Sequence, residues 1–156
     1  MAKFTDVPVE GNTDAVHDTQ KNALGMSAKD ELSRLWVYLK GVANCLEGSW
    51  VTYDELAVTT LLAANAIGPV AVAGGPVVAG KFGWFCVFAP MGVKAQVAAA
   101  CADNARVGRE GADGVVGDGR VAGDEIYNAI TRASTTTAAA VAVQILYPYV
   151  DDVNGA

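Results

Sequence analysis

From Lys81 to Val150 the chain is a succession of short apolar stretches, built from small residues in strict alternation and broken at glycine. Val93, Ala95, Val97, Ala99 and Cys101 share one side of such a stretch, and Lys94 and Gln96 take the other. Ala139, Val141, Val143, Ile145 and Tyr147 repeat the pattern. A period of two is the signature of a strand with one buried face. Ala98 and Ala100 favour helix by propensity, but the alternation and the glycine-rich neighbours favour strand. Some seventy residues of this pattern commit the chain to a β body.

The rest of the chain fits around that body. Leu35–Ala43 has the aromatic and β-branched content of a strand. Glu47-Gly48-Ser49 then turns the chain into Trp50-Val51-Thr52-Tyr53, which predicts a hairpin. Thr52 and Glu55 have the spacing of a capping box and predict a short helix from Tyr53 to Ile67. It ends before Gly68-Pro69, because a residue preceding proline avoids the α region. Further strands are expected at Pro69–Ala73, Phe82–Phe88 and Ile126–Ala133. Gly108–Gly123, with six glycines among acids, reads as turns or a surface loop, and Pro148 is expected to end pairing. The predicted fold is mainly β: a compact antiparallel sandwich or barrel, with an extended N-terminal arm and one short helix. Residues 1–33, polar and without a sustained period, form the arm, residues 34–150 the body, and residues 151–156 a solvated tail.

Composition removes several function classes. The net charge is -6, and the eleven basic residues are scattered, whereas nucleic-acid binders cluster Lys and Arg. Leu56–Gly80 carries no charge and is long enough to span a bilayer. Asn65, Thr59 and Thr60 and the breaks at Gly68-Pro69 and Gly74-Gly75-Pro76 argue instead for buried structure. No membrane partner is expected, and no signal peptide is visible in the polar Met1–Glu10. Cys45, Cys86 and Cys101 lack metal-ligand spacing, and His17 is the single histidine. They read as buried free thiols, with no metal and no cofactor.

Motifs that suggest chemistry fail on context. Gly75-Pro76-Val77-Val78-Ala79-Gly80-Lys81 matches most of a phosphate-binding loop, but Phe82 stands where Ser or Thr is needed and a strand follows. Gly117-Asp118-Gly119…Gly123 has the wrong spacing for a dinucleotide fingerprint. Asp113, Asp118 and Asp124 resemble calcium ligands without EF-hand spacing, and a solvated loop is the simpler reading. His17 sits in the polar arm with no nucleophile elbow to pair with it. No catalytic residues are expected, and the chain does not read as an enzyme. The aromatics are more telling. Trp36, Trp50, Trp84 and Tyr149 are either core residues or, where exposed, anchors of a subunit interface. Phe4, Val7 and Val9 are the apolar anchors by which the arm would grip a partner.

Lys81–Ala105 (Lys-Phe-Gly-Trp-Phe-Cys-Val-Phe, a short turn, then Val-Lys-Ala-Gln-Val-Ala-Ala-Ala-Cys-Ala-Asp-Asn-Ala) and Thr137–Val150 resemble in texture the head decoration (cement) proteins of tailed bacteriophages. The likeness covers half to two-thirds of the chain. It implies a β-rich structural protein, often a homotrimer, that binds the major capsid protein lattice on the capsid exterior and is assembled in the host cytoplasm. An extended arm reaching the shell is common in such proteins, and no catalytic residues follow from the likeness. Other virion components (a tail tube or fibre) and a β-type carbohydrate or ligand-binding module are the alternatives.

Overall fold

A computed structural model of the chain describes residues 2–4 and 11–152. Those residues form an all-β protein of eleven strands joined in one mixed sheet, with no helix among them. The strands are β1 (Val16–His17), β2 (Ser27–Lys29), β3 (Leu35–Lys40), β4 (Trp50–Tyr53), β5 (Thr59–Leu61), β6 (Gly68–Ala73), β7 (Phe82–Val97), β8 (Arg106–Arg109), β9 (Val116–Gly117), β10 (Glu125–Thr131) and β11 (Ala139–Val150).

Two long strands organise the molecule. β7 spans 16 residues, covering the two shorter strands expected at Phe82–Phe88 and from Val93. Its first half pairs with β1, β3 and β6, and its second half with β11. Gly92, with φ of 95°, lies where the register to β11 shifts between Val93 and Ala89; glycine accepts that backbone without strain. From β7 the pairings run through β9, β8, β10 and β11 and back to β7, so this part of the sheet closes on itself. Among the described residues the named strands pair antiparallel except at the Val97↔Val116 rung of β7 and β9, and an isolated parallel bridge joins Lys40 to Val58.

The core follows the alternation. Val93, Ala95 and Val97 are buried between the outward-facing Lys94 and half-buried Gln96. They join Val107, Val116, Ile126, Ala129, Val143 and Ile145 inside the closed part. Where β3, β6 and β7 lie side by side, both faces are covered. Trp36, Tyr38, Val72, Trp84 and Cys86 pack on one face; Leu39, Ala71, Ala73, Phe85 and Val87 pack on the other. That explains why Phe82–Phe88 reads as a continuous apolar run. The accessible surface, 7383 Å² for 16.1 kDa, matches the roughly 7,400 Å² of an ordinary folded monomer of this mass. Small side chains have therefore not left the chain poorly closed.

Several local expectations give way. The helix over Tyr53–Ile67 does not form. Asp54 Oδ1 accepts the amides of Leu56 and Val58, a side-chain turn that takes the donors a first helical turn would need. β-branched Thr59 and Thr60 then pair with β4 as β5. The hairpin of β3 with β4 is also absent: β3 pairs with β2 and β7, and β4 with β5 and β6. Residues 11–33, read as an extended arm, carry β1 and β2 and are paired to the body. Gly108–Gly123 contains the end of β8 and all of β9. Pro148 does not end pairing either. Asn128 (φ 62°) and Tyr147 (φ 52°) mark a bulge, and β11 resumes with Tyr149 opposite both Tyr127 and Pro69. The bulge also inverts the alternation, so Ile145, Pro148 and Val150 point inward and Tyr147 outward.

Candidate functional site

The side chains singled out in the sequence go to three different places. Trp36, Trp50 and Trp84 are buried in the core of a single chain, so in this fold they do not form a subunit-interface surface. Their bulk and their flanking apolar residues drew them inside. Tyr149 is 44% exposed and alone among the four presents its ring to solvent. Phe4 is half-buried, bridges to Asp30 and sets its ring 4.4 Å from Trp84, gripping its own chain. Val7 and Val9 lie outside the described residues.

Among the described residues, the side chains that the motifs suggested for chemistry are engaged separately. Among the described residues, no group of three His, Cys, Asp or Glu side chains is placed to hold a metal ion. His17 Nδ1 lies 2.7 Å from the Tyr38 hydroxyl, which also accepts the Lys21 amide. In the phosphate-loop lookalike, the amides of Val77, Val78 and Lys81 donate to the loop's own carbonyls, and the Lys81 ammonium pairs with Asp18 at 2.6 Å. The acids of 108–124 are engaged one by one. Glu110 accepts the Gly119 amide, Asp118 the Ala102 amide and Asp124 the Asn65 amide, and Asp113 pairs with Arg109.

The three cysteines are free and buried. Burial pushes the Cys86 thiol up to about 12 and the Cys45 thiol up to about 11, outweighing the hydrogen bonds at each sulfur that pull the other way. A raised folded-state value means the contribution to stability is complete below about pH 9 and is lost as pH climbs through 11 to 12. The expected result is an unfolding free energy, read from urea curves, that falls by about 1 kcal/mol per thiol between pH 8 and pH 10. A Cys45→Ala/Cys86→Ala variant loses that part of the decline.

What the surface does offer is a band of exposed apolar side chains on β10 and β11. The Tyr127 and Tyr149 rings stack at 4.9 Å and 16°, directly across the two strands. Exposed Pro69 continues the rung onto β6. Tyr147, 58% exposed because the bulge turns it outward, meets Phe88 of β7 at 5.1 Å, and Leu146 is exposed beside it. Asp151, expected in a solvated tail, is half-buried and follows directly on this strand. Its charge, more than that of any other group, raises the Tyr127 phenol above its usual value. Tyr127 escaped the sequence reading because its outward direction depends on the β10 register, which alternation in Ile126–Ala133 does not reveal. A separate cleft of about 400 Å³ lies between Ala2, the β2–β3 turn and Lys94, with Glu31, Glu47, Asp14 and Arg34 on its walls. No family model, no curated protein and no solved structure matches this chain.

Proposed function

We propose that the chain is a non-enzymatic structural protein that decorates and stabilises the outside of a phage capsid by binding the major capsid protein lattice. The observation that carries this reading is the exposed Pro69–Tyr149–Tyr127 rung with Tyr147, Phe88 and Leu146 beside it. Exposed large apolar groups gathered on one sheet face mark protein contact, and tyrosine is enriched among the residues that carry binding energy. The resemblance of Lys81–Ala105 and Thr137–Val150 to head decoration proteins supplies the partner.

The mechanism is mass action. A protein that binds only the assembled lattice lowers the free energy of that state. Weak contacts add when a homotrimer presents several copies to a repeating surface. Val7 and Val9 supply further apolar anchors for the capsid protein, while Phe4 packs on Trp84 of its own chain.

The test is co-sedimentation of the purified protein with undecorated shells. Saturable retention is the expected outcome, and Tyr147→Asp lowers the apparent affinity at least tenfold. No retention at any ionic strength removes the proposal. The stacked tyrosines also suit a second reading, a carbohydrate-binding module, because flat exposed rings stack on sugar faces; a glycan array separates the two.

A further inference from the structure

Two acids, Glu125 and Asp151, lie beside the aromatic rung. Val150 stands opposite Ile126, so Asp151 comes level with Glu125 and shares the outward face with Tyr149. The two acids are not equivalent. Glu125 is paired with Arg120 at 2.9 Å and Arg106 at 3.8 Å. Asp151 has no such cation: among the described residues its Oδ1 is buried and has no hydrogen-bond partner. The charge of Asp151 acts most strongly on the Tyr127 hydroxyl, ahead of burial, Glu125 and Tyr149, and all four raise its pKa. A half-buried acid that has no ion pair among the described residues thus follows two residues after Tyr149, whose ring stacks on Tyr127; the two rings are 44% and 37% exposed, in a chain of net charge -6.

We infer that Tyr127, Tyr149 and Asp151 form a seat for one basic side chain, an arginine or lysine on the surface of the protein partner. A cation over the face of an aromatic ring is drawn by its quadrupole, and a carboxylate beside the ring adds a charge-assisted hydrogen bond. The two terms act on the same group only where ring and acid adjoin. The open face of either ring takes the stem of the side chain, and Asp151 takes its head. The idea deepens the capsid reading by naming what the shell presents, and it rests on that reading only for the partner's identity.

Two measurements on the full chain test it. In the first, a tetra-arginine amide peptide is titrated at fixed ionic strength while the Tyr127 and Tyr149 ring resonances are followed by NMR. Saturable shifts of both rings are expected. Asp151→Asn weakens the apparent affinity five- to tenfold. Asp18→Asn, which changes net charge equally but lies beside Lys81 ahead of β7, changes it less than twofold. Rings that do not move, equal effects of the two variants, or rings that respond to a neutral oligosaccharide and not to the peptide overturn the inference. In the second, shell retention is compared for wild type and Asp151→Asn across salt. A weaker salt dependence in the variant is expected, and an unchanged one counts against the seat. Failure of wild type to bind shells, with the peptide titration intact, sinks the capsid reading alone.

Discussion

Asp30→Ala is expected to lower the unfolding free energy by about 3–5 kcal/mol, the cost of removing one partner of a buried charge pair. Asp30 is 2% exposed, and its carboxylate accepts four hydrogen bonds. Oδ1 takes the amides of Leu32 and Arg34; Oδ2 takes Arg34 Nε and the Trp36 indole, each at 2.8 Å. That one side chain shapes the β2–β3 turn, holds Arg34 near Trp36, whose ring lies 5.3 Å from the guanidinium, and satisfies a buried indole N–H. Without it, Arg34 and Trp36 lose their partner inside a site with little access to water, where an unmet donor costs about 1–3 kcal/mol. Asp30→Asn keeps acceptor capacity on one atom and should cost about half as much. Urea denaturation followed by tryptophan fluorescence measures both, and an alanine variant within 1 kcal/mol of wild type would contradict the network's role.

The second large effect belongs to Trp84. It is fully buried on β7, with Tyr38 at 5.1 Å and Phe4 at 4.4 Å. Trp84→Ala should cost about 3–5 kcal/mol through lost apolar contact and the cavity left behind. Phe4→Ala removes a half-buried ring from the same cluster, so about 1–2 kcal/mol is expected. The two variants also differ in kind. Trp84→Ala lowers the midpoint of the whole unfolding transition. Phe4→Ala leaves that transition cooperative but exposes the amino-terminal residues to limited proteolysis, because the docking of Phe4 on Trp84 is lost and only the backbone bridge to Asp30 remains. Protection equal to wild type in Phe4→Ala would show that the backbone bridge alone holds the segment.

Alternation in Val93–Val97 and Ala139–Ile145, the β-branched and aromatic run at Leu35–Lys40, and the short apolar stretches at Trp50–Tyr53 and Pro69–Ala73 settled from sequence that the chain is β and where most strands run, although the expected continuation to Cys101 is a turn in which Ala99 is exposed. Each is a local statement, since side-chain direction along a strand is fixed by a period of two residues. The amino-acid sequence also singled out Tyr149, which the fold leaves exposed. Pairing, register and closure were decided only in three dimensions. Nothing local tells β3 to choose β7 over β4, or Asp54 to turn its own backbone instead of opening a helix. The bulge at Asn128 and Tyr147 matters most for the proposed contact surface: by shifting register it turns Tyr147 outward, buries Pro148 and sets Tyr149 beside Tyr127. Contacts between strands far apart in the chain determine which face a residue presents, and the exposed rung with its neighbouring acid exists only once those contacts are made.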